Sequence, residues 1–301
     1  MKAVCIGHAS YDITIPVDSY PKENTKNRIN IPPLECGGGP SATAAYLLGK
    51  WGMETYFVGA VGNDYYGHKI INEFNSLAMS LKYIEVVDDA RTSTSYILAN
   101  TEKGSRTIMS SRDPNLLYHG SSISLKPDVI MIDGEELAIS KQVLLANKDA
   151  ISVMDAGKYR RSTFILGPLV TYFICSKDFA EDFLKVKIDS SNQRQLCSVY
   201  HRLYEVFKTN IVVTLEEEGC LAKIDDKLKL IPSIKVKAID STGAGDIFHG
   251  AFTYFIANHI PYEASLRFAN ITAAISVTRM GSRFSIPSLK EVVDYVKKYV
   301  I

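Results

Sequence analysis

Short apolar runs that end in glycine, aspartate or serine recur along the chain. Runs rich in valine, isoleucine and aromatic residues that stop at such turn residues are typical of buried strands. The pattern predicts strands at KAVCIG near the start, TYFVGAVG (55–62), DVIMIDG (128–134), AISVMDAG (150–157), VTYFICS (170–176) and NIVVTLEEEG (210–219).

Helical spacing of apolar residues fills the gaps between these runs. Amphipathic or small-residue helices are predicted at 39–52, 66–78 and 191–207. From Ile247 onward the pattern is helical, with stops at Pro261 and Gly281 and an amphipathic helix at the end. Alternating strands and helices predict an α/β fold, a Rossmann-like and mostly parallel central sheet with helices on both faces.

Two segments interrupt this alternation, at about 13–35 and 92–113. The first is rich in polar turn residues and has no helical period. The second has two β-like runs around the turn NTEKG, which predicts a hairpin. We interpret both segments as a small β-sheet lid on the main sheet, and the alternative is two ordinary surface loops. Without an internal repeat or a linker, residues 1–301 are predicted to form one domain.

Composition and charge narrow the class of protein. Apolar residues make up 46% of the chain, charged residues 22%, and the formal net charge is +1. No basic bias favours a nucleic-acid or membrane partner. The five cysteines are widely spaced without a CxxC pair, which predicts reduced thiols and a cytoplasmic location. The first apolar run is too short for a signal peptide or a membrane span.

The stretch DSTGAGDIFHG (240–250) carries the strongest chemical signal. Small residues at the start of a helix leave backbone N–H groups free to surround an anion, and the helix dipole favours negative charge there. Asp246 follows this turn directly, where a carboxylate accepts the proton of an attacking hydroxyl. The alternative is that Asp246 is a helix cap and that the glycines only form a turn.

The whole chain resembles the PfkB/ribokinase family of carbohydrate kinases. DSTGAGDIFHGAF is similar to that family's C-terminal signature, and GGGPSATAAYLLGKWG (37–52) to its N-terminal signature. VTRMGSRFSIP (277–287) resembles the closing element of the family, and GHASYDIT carries its early aspartate, Asp12. The resemblance implies a ribokinase-like fold and an ATP-dependent phosphotransferase that acts on a sugar hydroxyl, with Mg²⁺ on the ATP phosphates and K⁺ beside the anion-binding turn.

The resemblance also implies a set of site residues. The catalytic set is Asp246 with amides from Gly243, Ala244 and Gly245. The acceptor set is Asp12, Gly38 and Gly39, and Thr43 stands where the family often has a sugar-binding asparagine. The nucleotide set is Thr214, Glu216, Gly219, Asn270 and Gly245. The set for a monovalent cation, mostly through backbone carbonyls, is Asp240, Thr242, Ser276, Arg279, Gly281 and Ser285.

The sequence departs from the family pattern at two places besides Thr43. In TLEEEGC (214–220), Glu216 replaces the first glycine of the nucleotide loop. In CSKDFAED (175–182), Ser176 and Phe179 stand where the family has the asparagine and glutamate that serve magnesium and phosphate. Either of the nearby acids, Asp178 or Glu181, is a candidate substitute.

Basic residues near predicted strand ends and in the lid form a candidate clamp for an acidic sugar. Arg106 and Arg161 are the first choices among Arg106, Arg112, Lys158, Arg160 and Arg161. Solubilising surface charge is the alternative. A nucleoside kinase of the same fold and a sugar-binding sensor without catalysis are the alternative functions. The expected partners are a small-molecule sugar, ATP and a second copy of the chain, paired through the lid.

Overall fold

The protein is described here from a computed structural model that covers residues 1–120 and 122–299. Its strands are β1 (Lys2–Ile6), β2 (Ser10–Val17), β3 (Leu34–Gly38), β4 (Glu54–Gly62), β5 (Ile84–Val87), β6 (Thr94–Asn100), β7 (Ser105–Ser111), β8 (Val129–Ile132), β9 (Ile151–Ala156), β10 (Tyr172–Ser176), β11 (Asn210–Thr214), β12 (Cys220–Ile224) and β13 (Lys227–Ile231). Its helices are α1 (Pro40–Lys50), α2 (Tyr65–Ser76), α3 (Leu137–Ala146), α4 (Arg161–Leu166), α5 (Lys177–Leu184), α6 (Gln193–Phe207), α7 (Ala244–Ala257), α8 (Tyr262–Ser276) and α9 (Leu289–Tyr299).

The main sheet has the strand order β13-β12-β11-β10-β9-β8-β1-β4-β5. Neighbours from β11 through to β5 pair in parallel, whereas β12 and β13 add an antiparallel edge. Helices α1, α7 and α8 pack on one face of the sheet, and α3, α5 and α6 pack on the other. The predicted Rossmann-like architecture is confirmed.

The central strands are buried on both faces of the sheet, which explains why their apolar runs predicted them correctly. All four residues of β8 are fully buried, as expected for a parallel strand covered by helices on each side. Helix α6 shows the other pattern, because its buried residues recur every three or four positions. They are Leu196, Val199, Tyr200, Leu203 and Phe207.

A second, smaller sheet has the order β3-β2-β6-β7 and is called the lid sheet below. The predicted hairpin is confirmed as β6 and β7, which pair antiparallel. The boundaries of the first lid segment differ from the prediction, because β2 begins at Ser10, β3 ends at Gly38, and residues 18–33 form no strand. The polar turn residues of 18–33 offer no alternating apolar face to hold a strand.

The predicted strand at 210–219 is wrong in its second half. The ladder ends at Thr214, and a short 3-10 helix, Glu216–Glu218, follows. Glu216 and Gly219 both have positive φ, at 55° and 102°, which is incompatible with a continuous strand.

Other findings bear on the whole chain. All five cysteines are free. Among the described residues, no helix combines the length and the apolar character needed to cross a membrane. Strand β7 forms one edge of the lid sheet and exposes Ile108 and Met109. The single-domain arrangement and the homodimer through the lid stay predictions.

Candidate active site

The glycine turn of the C-terminal signature opens helix α7. Gly243 caps the helix with a φ of 73°, in the left-handed region that glycine adopts without strain. A Cβ added to Gly243 would lie 2.9 Å from the Cβ of Ser282, so the turn and the Ser282 segment touch. A Cβ added to Gly245 would meet nothing within 4 Å. The outer side of the turn therefore faces open space.

The free backbone donors of this turn differ slightly from the predicted set. The N–H groups of Gly245 and Asp246 have no acceptor among the described residues. The N–H of Ala244 is bonded to the carbonyl of Ser241 at 3.3 Å, within the turn itself. The N–H of Gly243 also has no acceptor among the described residues, so three amides at the positive end of a helix of 14 residues remain open for an anion.

Asp246 lies half-buried beside these amides, and its carboxylate accepts no hydrogen bond from a described residue. Burial raises the pKa of Asp246 well above its usual value, and the carboxylates of Asp155 and Asp12 add to the rise. The guanidinium of Arg106 opposes it. An unpaired carboxylate with a raised pKa is a better proton acceptor than an exposed aspartate.

The lid hairpin reaches down to this turn. Arg106 on β7 donates from Nη1 to the hydroxyl of Ser241 at 2.8 Å. At the hairpin tip, a Cβ added to Gly104 would lie 2.7 Å from the Cβ of Ala238. Arg106 was predicted to bind the acceptor, but the structure places it next to the anion-binding turn.

Asp12 lies at the base of the lid sheet and is 6% exposed. Its carboxylate accepts hydrogen bonds from the hydroxyls of Ser10 at 3.0 Å and Ser282 at 3.2 Å. Burial raises the pKa of Asp12, and these bonds partly offset the rise. A Cβ added to Gly38 would lie 2.0 Å from the Asp12 carboxylate, so only glycine leaves room for that side chain.

A second buried carboxylate, Asp133, joins three loops near Asp12. It accepts backbone N–H groups of His8 at 2.8 Å, Ser41 at 3.2 Å and Glu135 at 3.0 Å. These residues follow β1, begin α1 and follow β8. Burial raises the pKa of Asp133 to about 6. The arrangement fixes the carboxyl ends of the central strands, which is where ligands of open α/β sheets bind.

The remaining residues of the predicted acceptor set lie deeper. Gly39 has a φ of 89°, and a Cβ there would lie 2.5 Å from the carbonyl oxygen of His8. Thr43 has no exposed surface, and its hydroxyl has no hydrogen-bond partner. The structure places Thr43 inside the core rather than on the open side of the site.

Two arginines converge on one oxygen of Glu135. Arg112, which directly follows β7, donates to Glu135 Oε1 at 2.8 Å, and Arg160, before α4, donates to the same oxygen at 2.5 Å. Burial and the charge of Arg112 lower the pKa of the neighbouring His8 to about 3. Arg161, a first choice from the sequence, is exposed and bonds no described side chain. Its neighbour Arg160 is the residue that contacts Glu135 at the carboxyl end of β8.

The predicted nucleotide loop follows β11. Glu216 has a left-handed backbone with a φ of 55°, and its exposed carboxylate lies 3.9 Å from Nζ of Lys177. A Cβ added to Gly219 would lie 2.1 Å from the carbonyl oxygen of Ile231, so only glycine fits there. The loop therefore turns through a left-handed residue with a side chain at Glu216 and through glycine at Gly219.

The other two residues of the nucleotide set make internal contacts. Asn270 is buried and donates from Nδ2 to the carbonyl of Ile231 at 3.0 Å, which ties α8 to β13. Thr214 donates from its hydroxyl to the carbonyl of Cys175 at 3.4 Å. A direct contact of either side chain with adenine stays a prediction.

Asp240 is the central member of the six residues predicted to hold a monovalent cation, and it is 1% exposed. Its Oδ1 accepts the N–H of Thr242 at 2.9 Å and its Oδ2 the N–H of Gly281 at 2.9 Å. No basic side chain bonds this buried carboxylate, and the Arg279 guanidinium turns away to Glu291. Oxygen donors without a protein counter-charge fit a hard monovalent cation. Ser276 and Ser285 lie in the same loop region, where their hydroxyls bond backbone carbonyls.

The segment 175–182, where the family pattern predicts contacts to magnesium and phosphate, makes mostly internal contacts. Ser176 caps helix α5 by accepting the N–H of Phe179 at 3.0 Å, and Phe179 is buried. Glu181 pairs with Lys187 at 2.5 Å, whereas Asp178 is exposed and bonds no described side chain. The described residues contain no cluster of three acidic, histidine or cysteine side chains suited to a metal ion.

Sequence reasoning missed a buried link between the closing motif (277–287) and the N-terminal signature (37–52). Arg283 is 2% exposed, lies against the rings of Tyr46 and Phe74, and donates to Glu73 at 2.6 Å. Glu73 in turn accepts the N–H of Gly37 at 2.9 Å. The quoted motif VTRMGSRFSIP contained this arginine, but no local pattern showed that its partner lies on α2.

A doubly covered parallel sheet, a β lid and a glycine turn with an unpaired aspartate together define a ribokinase-like phosphotransferase. The chain belongs to the pfkB family of carbohydrate kinases, because the model of that family matches residues 1–289. It is therefore a carbohydrate kinase that phosphorylates an alcohol group with ATP.

Individual relatives span almost the whole chain. A ribokinase of Bacillus subtilis (strain 168) is 25% identical over 300 residues, which are 97% of this chain and 98% of the relative. The structure of a ribokinase from Giardia lamblia has a TM-score of 0.80 and 22% identity, and each chain is covered to 99%. An Arabidopsis thaliana ribokinase complexed with ribose and ATP has a TM-score of 0.79 and 20% identity, with 98% of each chain covered.

Proposed function

We propose that the chain transfers the γ-phosphoryl group of ATP to a hydroxyl of a sugar derivative that carries an anionic group. The single observation behind this substrate class is the convergence of Arg112 and Arg160 on Glu135. Two guanidinium groups share one carboxylate, so these three side chains together carry one net positive charge, next to the buried carboxylate of Asp133. A carboxylate, phosphate or sulfonate of the acceptor is matched to these planar donors.

In this proposal Asp246 is the general base. It takes the proton of the acceptor hydroxyl, the hydroxyl oxygen forms a bond to the γ-phosphorus, and ADP leaves with the electrons of the broken bond. The free amides of Gly245 and Asp246 stabilise the transferring group. Asp12 receives hydrogen bonds from other acceptor hydroxyls, and Arg106 adds positive charge above the turn.

Two cations complete the proposal. K⁺ would be held by Asp240 and the carbonyls of its loop, where it would neutralise a buried carboxylate and steady the glycine turn. Mg²⁺ would supply charge neutralisation on the ATP phosphates, partly through water. Asp178 is the acid free to assist, since Glu181 is already bonded to Lys187 and to the N–H of Ile188.

An acceptor panel tests the proposal. ADP release is measured with neutral, phosphorylated and acidic sugars and with nucleosides, each with and without K⁺. We expect the highest kcat/KM with an anionic sugar, and we expect Arg112→Gln and Arg160→Gln to raise KM for that acceptor without an equal effect on neutral sugars.

Lys158→Gln is the matched control, because Lys158 lies in the same loop and takes no part in the Glu135 cluster. A preference for a neutral sugar or a nucleoside contradicts the anionic class. Sugar binding without ADP release from any acceptor indicates a sensor. Sedimentation velocity of the same protein checks the predicted homodimer.

A further inference from the structure

A buried imidazole and a buried carboxylate meet beneath the first turn of α7. His249 lies on α7 and Asp155 near the end of β9, and their side chains are 4% and 5% exposed. Nδ1 of His249 lies 3.1 Å from Oδ2 of Asp155. The proposed function gives neither residue a role. His249 nevertheless lies one helical turn after Gly245, and Asp155 contacts His249 from β9.

Each ring nitrogen of His249 faces an acceptor oxygen. Nδ1 lies 2.6 Å from the carbonyl oxygen of Gly245, and Nε2 lies 3.3 Å from the carbonyl oxygen of Ile174. Together with the Asp155 carboxylate, every partner atom is an acceptor. An imidazolium donates from both nitrogens, so these three oxygens match its donor pattern.

His249 follows Asp246 by three positions on α7, which places both side chains on one face of the helix. After burial, the Asp155 carboxylate is the largest influence on the pKa of Asp246, and it raises that pKa. The carboxylates of Asp12 on β2 and Asp133 after β8 also raise the pKa of Asp246, and Arg106 on β7 lowers it. The second oxygen of Asp155 accepts the N–H of Gly157 at 2.8 Å, which holds the carboxylate in place.

We propose that Asp155 and His249 form an ion pair and act as positioning residues, which hold the carbonyl of Gly245 and with it the first turn of α7 beside Asp246. The inference rests on the proposed role of Asp246 as the base. The imidazolium anchors the first turn of the helix, whose free amides face the transferring group. The two opposite charges act on Asp246 in opposite directions, and their balance tunes the base.

A titration without any acceptor tests this inference. The protein is labelled with ¹³C at the aspartate side-chain carboxyl, and the Asp246 signal is assigned from its loss in Asp246→Asn. We expect Asp155→Asn to lower the pKa of Asp246 and His249→Asn to raise it. Asparagine at 249 keeps an amide donor near the place of Nδ1 but carries no charge.

Two matched controls accompany the titration. Asp149→Asn changes an exposed aspartate at the other end of β9, and His259→Asn changes an exposed histidine beyond the end of α7. Neither is expected to move the Asp246 titration. Opposite shifts from the two test variants support the inference, and any other pattern overturns it.

The unaltered protein gives an independent readout if a variant does not fold. The ¹⁵N chemical shifts of the His249 ring show whether both nitrogens carry protons at neutral pH. Two protonated nitrogens support the ion pair, and a neutral tautomer overturns it. Both measurements stand even if the acceptor panel finds no substrate, so failure of the proposed function is distinguishable from failure of this inference.

Discussion

At the scale of single residues, the site depends on one carboxylate, Asp246, that accepts no hydrogen bond from any residue the structure describes. Asp133, Asp12 and Asp240 are all bonded to donors within the protein, whereas the Asp246 carboxylate is not. Evolution seldom leaves a half-buried charge without a donor unless a ligand supplies one, because desolvation of a charge is costly. The unpaired state of Asp246 therefore agrees with its proposed use on a substrate hydroxyl.

Replacing Asp246 by asparagine is expected to separate catalysis from stability. We expect kcat to fall by about 10²–10⁴-fold, the usual contribution of a general base. The melting temperature should stay equal or rise, because a buried carboxylate next to Asp155 is removed. Coupled ADP assays and calorimetry measure the two effects, with Asp149→Asn as the control. A variant with nearly normal kcat would exclude Asp246 as the base.

Sequence reasoning at this scale predicted the glycine turn that opens α7, but it did not predict the contacts of the arginines. The glycine turn is local, so eleven consecutive letters were enough to predict it. The Glu135 cluster joins a lid strand, the end of β8 and the start of α4, and no linear pattern connects them. Arg160 and Arg161 are adjacent in sequence, and only the backbone at the start of α4 decides which of them points to Glu135.

At the scale of elements, prediction succeeded where a strand is buried on both faces. The central strands read as unbroken apolar runs for this reason. The edge strands β5 and β13 are partly exposed, and β12 follows a tight turn, so their patterns are weak. The short helices α3, α4 and α5 also escaped prediction, since six to ten residues give too few turns for a clear period.

The nucleotide loop offers a test of local strain. Glu216 has a φ of 55°, a conformation that costs a residue with a side chain about 1–2 kcal/mol. We expect Glu216→Gly to maintain or raise the unfolding free energy and to lower KM for ATP, because a carboxylate that repels the ATP phosphates is removed from the predicted nucleotide loop. Glu216→Gln should lower KM for ATP without the stability gain. Denaturant unfolding and steady-state kinetics measure both.

Glu217 provides the control for this loop, because it is an exposed neighbour without a positive φ. Glu217→Gly should destabilise the protein through the added freedom of the unfolded chain. Equal losses of stability at 216 and 217 would show that the left-handed backbone at Glu216 carries no strain.

At the scale of the whole molecule, the site depends on contacts between the ends of the chain. Ser282 and Arg283 belong to the closing motif, but they bond Asp12 and Glu73 near the start. The resemblance to a family indicated that both motifs serve one site. Their physical connection through Arg283, Glu73 and the N–H of Gly37 could not be predicted, because residues about 210 positions apart carry no shared local pattern.

The ion pair between the buried Arg283 and the partly exposed Glu73 is expected to respond differently to single and double replacement. Arg283→Met leaves Glu73 without its cation and should cost about 1.5–3 kcal/mol of unfolding free energy. Arg283→Met combined with Glu73→Met removes both charges and should recover part of this loss. A double-mutant cycle in denaturant measures the coupling. Strictly additive losses would show that the two side chains do not stabilise each other.

The hydrogen bond from Ser282 to Asp12 also sets a condition on biosynthesis. A ribosome adds Ser282 270 positions after Asp12, so the Asp12 carboxylate lacks this donor while all the residues between them are synthesised. Premature termination between the end of β13 and this serine would yield a polypeptide with the strands of both sheets but without the donor that orients its early aspartate.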